Sequence, residues 1–223
     1  SLVARLDATG ATEDVEALSA VIDAVGTLGL ADAKEKLVTH CGSPYRTVRE
    51  HAQTALAKIM GKASPRCTAG KQLGPPVELE RRLDKPATIV FETDIGALRI
   101  TLDPQLAPVA ATRAVDLAKN GFYDGMVVHR VVPGFVSQFG SPTFDGYGGV
   151  SGLPPLPCET SPLHFGPLTV GVALAGRDTG SSQLFVTHTP TPHLDGNYAL
   201  IGSASGPWDA LIDGDIINSA KLE

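Results

Sequence analysis

One arginine and two glutamines stand among residues that otherwise read as plain apolar strand. Arg130 lies in the run Val127-Val128-His129-Arg130-Val131-Val132-Pro133-Gly134-Phe135-Val136-Ser137-Gln138, which ends on the first glutamine. The second, Gln183, lies about fifty residues later in Ser182-Gln183-Leu184-Phe185-Val186-Thr187. A guanidinium is a permanently charged, rigid hydrogen-bond donor, and a glutamine amide both donates and accepts. Such a set suits holding and polarising a bound group, not attacking it. Burying a guanidinium with no carboxylate beside it is expensive, so the run predicts an arginine kept for use. From the residues alone, Arg130 also fits a core-edge arginine paired with a distant carboxylate, and Phe135 and Phe185 fit core.

Other chemistries find less support. Gly180-Ser181-Ser182 lacks the G-x-S-x-G frame of a nucleophile elbow. His188 and His193 sit on a Pro-broken loop and do not make a metal pair. His129 alternates to the opposite strand face from Arg130 and reads as structural. Cys41, Cys67 and Cys158 are an odd count without C-x-x-C spacing, which favours three free structural thiols; one disulfide in an exported protein is the open alternative.

The elements that must position these residues change period along the chain. Residues 12–61 read as helical, with Thr12 as N-cap and Glu13 and Asp14 at the positive end of the dipole. Val15, Leu18, Ile22 and Val25 recur at helical spacing, and Gly26 is the expected stop. A second helix is expected over 30–41, with Leu37 and Val38 inward and Gly42 ending it. A third opens on Ser43 as N-cap and Pro44 at the first helical position, with Val48, Ala52, Ala55, Leu56 and Ile59 on one face and Gly61 after it. Its pattern resembles the second helix of a HEAT-type repeat and fits a generic small helical bundle equally; a true repeat would be the capping end of a longer array. Residues 62–86, broken by Pro65, Gly70, Gly74, Pro75 and Pro76, form the expected linker, with room for one helical turn over 77–83.

From 87 to 223 the pattern alternates. Strands are expected at 88–92 and 97–102 around Asp94-Ile95-Gly96, then a helix from Pro108 to about Asn120. Further strands follow at 127–132, 135–139, 168–174, 183–187, 199–201 and 216–222, with a short helix at 208–212. The fold class is therefore mainly β, a closed eight-stranded antiparallel barrel with two helices, preceded by a small all-α segment. The long loop over 140–167 is of a length that is often functional.

The 223 residues carry a net charge of −6, with 43% hydrophobic and 19% charged residues, and their Lys and Arg are scattered. That excludes the basic face of a nucleic-acid binder. No apolar run is long enough to cross a bilayer, and Leu2-Val3-Ala4 followed by Arg5 and Asp7 is not a secretory signal. The chain begins with Ser1, so it reads as processed or as a piece of a longer protein. Its compartment stays open between cytoplasmic and exported.

The ordered blocks Phe122-Tyr123-Asp124-Gly125, His129-Arg130-Val131-Val132-Pro133-Gly134-Phe135, Gln138, Ser182-Gln183-Leu184-Phe185 and Leu194-Asp195-Gly196 resemble the cyclophilin-type peptidyl-prolyl isomerases over about residues 87–223. The resemblance implies an eight-stranded barrel capped by two helices. It makes Arg130 and Gln138 catalytic; Gln138 and Gln183 match the two glutamines beside the arginine, one orienting it and one touching substrate. Phe135, Phe185 and Leu194 match the floor and walls of a proline pocket. Val136 stands where methionine is usual, and Tyr198 where many members have histidine. Ala173 and Leu174 match the strand that pairs with substrate backbone, Leu174 replacing a common asparagine. His193 replaces a tryptophan that helps bind cyclosporin, which with similarity to bacterial members implies weak binding of that drug. Phe139 occupies a small-residue position, so the following loop is expected to take another path. Arg113-Ala114 replaces a common asparagine-phenylalanine pair, so the core must fill that volume otherwise.

What the resemblance implies is rotation about X-Pro bonds in proline-containing polypeptides, assisting folding, with no cofactor. A catalytically weak proline-peptide-binding or scaffold module, its helical segment serving as a docking surface, is the alternative.

Overall fold

The computed structural model describes residues 1–8, 15–43, 45–68, 77–79 and 81–223. Thr12, Glu13, Asp14, Pro44, Gly70, Gly74, Pro75 and Pro76, to which the sequence reading gave caps and breaks, lie outside them. The chain divides into two compact units, 1–74 with 175–179, and 75–174 with 180–223.

The first unit is helical: α1 Leu2–Ala8, α2 Val15–Thr27, α3 Lys34–His40 and α4 Arg46–Met60. α1 has no counterpart among the expected helices. Leu6, Leu18, Ile22, Val25, Leu37, Val48, Ala52 and Leu56 form the unit's core. Gly26 lies inside α2 and does not end it: a Cβ there would come within 2.7 Å of Ala55 on α4, so the glycine lets the helices approach. Leu37 is buried, but Val38 is 46% exposed, because neighbouring helix positions point about 100° apart. Ser43 does not cap α4. The helix starts after Tyr45, which has no side-chain cap, and the Ser43 hydroxyl instead accepts the Tyr45 N–H at 3.2 Å. The expectation of three free thiols is corrected: Cys41 and Cys67 form a disulfide, and Cys158 is unbridged. The chain after α4 folds back because Gln53 accepts the Cys67 N–H at 2.7 Å and donates to the Pro65 carbonyl at 3.0 Å.

The second unit is a closed antiparallel barrel. Its strands are β1 Ala87–Thr93, β2 Gly96–Leu102, β3 Met126–Val132, β4 Val136–Phe139, β5 Thr169–Val172, β6 Leu184–Thr187, β7 Leu200–Ser205 and β8 Ile216–Leu222. They close in the order β1-β2-β7-β5-β6-β4-β3-β8. Alternation sends Ile89 and Phe91 of β1 and Leu98, Ile100 and Leu102 of β2 inward. Phe139 also points inward, 5.2 Å from Phe91 and stacked on Trp208 at 5.7 Å, so its ring fills the barrel. α5, Pro108–Lys119, is the barrel unit's α-helix among the described residues. Glu159, from the long loop, accepts the Val109 and Ala110 N–H groups at 3.1 and 2.9 Å, satisfying free donors at the positive end of that helix. The second expected helix is only a 3-10 turn, Trp208–Ala210. Gly206-Pro207 before it and Asp213-Gly214 after it leave no room for more, and Ile212 stays exposed.

Arg113 on α5 is buried against Glu78 of the 3-10 turn Val77–Leu79; its Nη2 donates to Glu78 at 2.9 Å and its Nη1 to the Pro154 carbonyl at 2.8 Å. Leu83 N–H donates to the Thr112 hydroxyl at 3.1 Å, and Arg81 pairs with Asp116. Glu78, Arg81 and Leu83 are thus bound to α5.

Candidate active site

The bulge in β3 sets the site. Val128 pairs with Phe139 and Arg130 with Gln138, so His129 is the extra residue. Arg130 is exposed, not buried as the sequence reading had it, and a solvated guanidinium escapes the cost that reading invoked. From Arg130 one ladder row crosses the barrel wall: Arg130 faces Gln138, Gln138 faces Phe185, Phe185 faces Gly171 and Gly171 faces Leu200. The row is polar at one end and apolar at the other.

At the polar end, Arg130 Nη1 donates to Gln138 Oε1 at 3.3 Å and Gln138 Nε2 to Gln183 Oε1 at 3.0 Å. Gln183 Nε2 donates in turn to the Gly146 and Gly148 carbonyls at 2.8 and 3.2 Å. A guanidinium offers only donors, so Gln138 must present its oxygen, and both amide orientations follow. The Arg130 guanidinium also stands 5.8 Å from the Phe135 ring centre, a cation–π contact. His129 packs behind this chain of bonds, its ring against Gly146. Both ring nitrogens are buried without a hydrogen-bond partner among the described residues, and burial pushes its pKa down.

At the apolar end, Val136, Phe165, Phe185, Leu194 and Leu200 form a buried cluster, with Leu106, Phe135, Ala173 and Tyr198 half-buried against it. Tyr198 meets Phe185 edge-on at 5.7 Å, and exposed His193 lies over Phe135 at 5.3 Å. Leu174 does not join this cluster; its side chain packs on the barrel core. β5 ends at Val172, so Ala173 and Leu174 follow the strand where the sequence reading had them inside it. Ala173 still donates its N–H to the Gln183 carbonyl at 2.9 Å. No group of three or more His, Cys, Asp or Glu among the described residues converges on a metal position.

Phe165, Leu200 and Gly171 escaped the sequence reading. A Cβ on Gly171 would stand 2.3 Å from Phe185 and 2.9 Å from Phe165, so the glycine makes room for both rings. Gly171→Ala is expected to cost about 1–3 kcal/mol of stability by overpacking and to weaken proline-peptide binding. Urea unfolding and a peptide titration read the two effects; a variant equal to the parent in both would show that the rings yield freely.

Phe165 is placed by Asp195, which accepts its N–H at 2.8 Å and pairs with His164 Nδ1 at 2.7 Å. The Phe165 N–H first, then the His164 contact, lower the Asp195 pKa from its usual 3.8. The folded state then binds this proton more weakly than the unfolded chain. The contribution to stability is intact above about pH 3.8 and is lost as pH falls through the lower folded value. Asn keeps an oxygen for the Phe165 N–H but does not titrate. The melting temperature of Asp195→Asn is therefore expected to fall less than the parent's on acidification below pH 4; parallel curves would refute this.

The model of the family described as cyclophilin type peptidyl-prolyl cis-trans isomerase/CLD matches residues 88–211. A peptidyl-prolyl cis-trans isomerase of Synechococcus elongatus is 38% identical over 138 residues, which are 60% of this chain and 94% of that protein. Peptidyl-prolyl cis-trans isomerase B of Bacillus subtilis is 36% identical over 135 residues, covering 58% and 93%. The crystal structure of a cyclophilin type peptidyl-prolyl cis-trans isomerase of Cryptosporidium parvum aligns with a TM-score of 0.58 at 24% identity, over 62% of this chain and 98% of that one; that likeness speaks for the fold. Sequence and fold agree on one family over the barrel: the chain belongs to the cyclophilin-type peptidyl-prolyl cis-trans isomerases.

Proposed function

We propose that the chain rotates X-Pro bonds of proline-containing polypeptides at the Arg130–Leu200 row, and so assists folding. The observation that carries this reading is an oriented, solvent-facing guanidinium beside a buried aromatic cluster. A planar amide resists rotation because its nitrogen lone pair is delocalised, with a barrier of ~18–20 kcal/mol. Twisting returns the lone pair to nitrogen, where it can accept a hydrogen bond from Arg130. The donor then favours the twisted state over both planar ones, which is catalysis by differential binding.

In this reading Phe135, Val136, Phe185, Leu194 and Tyr198 hold the proline ring, with Phe165 and Leu200 behind them. Gln138 orients Arg130 and Gln183 meets the substrate. Ala173 and Leu174 offer main-chain groups, and His193 forms the rim, where cyclosporin would bind weakly. No cofactor takes part in the rotation. The helical unit, HEAT-like in pattern, serves as a protein-docking surface. The matches in Synechococcus and Bacillus favour a bacterial origin, and the Cys41–Cys67 disulfide favours an oxidising compartment. Exchange spectroscopy on a short X-Pro peptide tests the reading. Faster cis–trans exchange is expected; binding without it would favour the proline-binding module.

A further inference from the structure

The helical unit carries a charge pattern that the barrel chemistry does not use. From His51 to Val77 the sequence holds Lys58, Lys62, Arg66 and Lys71 and no aspartate or glutamate, in a chain of net charge −6. In sequence these cations look scattered, but the fold brings some of the unit's arginines together. α4 offers Arg46, Arg49, Glu50 and Gln53, spaced to lie along one side of a helix. The returning chain brings Arg66 and Cys67 to the same groove, which has a volume of about 510 Å³.

The wall formed by the returning chain is fastened independently of any ligand. The Cys41–Cys67 disulfide ties it covalently. The Gln53 amide holds it at Cys67 and at Pro65. A ligand entering the groove therefore does not bear the cost of ordering that wall. Glu50 is the one carboxylate lining the groove among the described residues, and Asp178 lies near enough to act on Arg46 from outside the lining. It meets Arg46 at 2.7 Å, with the two side chains 59% and 62% exposed. An ion pair so exposed is worth little and can be exchanged for an incoming carboxylate. Arg49 donates to the Ser43 carbonyl at 2.7 Å, which fixes the place of its guanidinium, and Arg66 is exposed.

We propose that this groove docks an acidic, carboxylate-bearing stretch of a partner polypeptide. Guanidinium forks match carboxylates in geometry as well as charge, and the groove's volume lies within the range of ligand pockets. The proposal deepens the docking role given to the helical unit and rests on no step of the isomerase chemistry.

The test is fluorescence anisotropy of a fluorescein-labelled hexaglutamate peptide with the full chain at low salt, with hexaglutamine as the neutral control. Saturable binding to hexaglutamate alone is expected, weakening as salt screens the charges. Arg46→Ala/Arg66→Ala should bind about tenfold more weakly, and Glu50→Gln more tightly. Equal binding by the double variant, equal binding of hexaglutamine, or displacement by inorganic phosphate at the same carboxylate-equivalent concentration would overturn the proposal. Circular dichroism of each variant confirms its fold, since all three side chains are exposed or half-buried at the surface. X-Pro exchange measured in the same samples separates the two readings. Exchange without peptide binding defeats only the groove, and peptide binding without exchange defeats only the isomerase site.

Discussion

Glu78→Ala is expected to lower the stability of the barrel unit by about 3–5 kcal/mol, the cost of stranding one partner of a buried ion pair. Arg113 and Glu78 side chains are 1% and 3% exposed, so neither water nor a surface counter-ion can replace the lost carboxylate. An arginine cannot escape by losing its proton. The Pro154 carbonyl, to which Arg113 also donates, is a dipole and carries no net charge. Against a typical domain stability of about 5–15 kcal/mol, such a loss is large. Removing both charges together is a different case, because apolar replacements of similar volume are often neutral or stabilising. Glu78→Leu/Arg113→Met is therefore expected to recover most of the loss. Urea unfolding of the three proteins checks both statements; a single variant within about 1 kcal/mol of the parent would mean that the pair is not sealed from water.

That pair also shows what the sequence could not display. Arg113 was visible only as an odd residue in a helix, since its partner lies 35 positions away in a stretch that reads as linker. Gly26 read as a helix stop because the approach of Ala55 is a tertiary fact. Asp195 stands in the block Leu194-Asp195-Gly196, yet its hold on Phe165 crosses 30 positions. Local periodicity, by contrast, was legible. Leu98, Ile100 and Leu102 alternate because one face of β2 is buried, and Pro108 opens α5 because its missing N–H costs nothing there. The site lies between these cases. Arg130, Gln138, Phe135 and Phe185 stand out as candidates only through the family resemblance, since by type alone they also fit a core-edge ion pair and plain core. The bulge at His129 that turns Arg130 outward was not, and neither was the need for Gly171 beneath Phe185.

Arg130→Ala is expected to reduce the rate of X-Pro rotation by about two to three powers of ten, the loss of one preorganised donor worth about 3–4 kcal/mol. The fold should survive, because Arg130 is exposed and touches the Gln138 amide and the Phe135 ring at the barrel surface. Peptide binding should change little, since the aromatic cluster that would hold the proline lies on other strands and loops. A loss in rate with binding retained is the signature of an interaction made only in the transition state. Arg130→Lys keeps the charge but loses the planar fork, so its rate should fall between the two.

The most direct measurement is a proline-limited refolding assay comparing parent and Arg130→Ala at equal concentration, after both have been shown to bind the same X-Pro peptide. Strong acceleration by the parent and a drop of about two to three powers of ten in the variant are expected; a variant as active as the parent would contradict a catalytic role for Arg130.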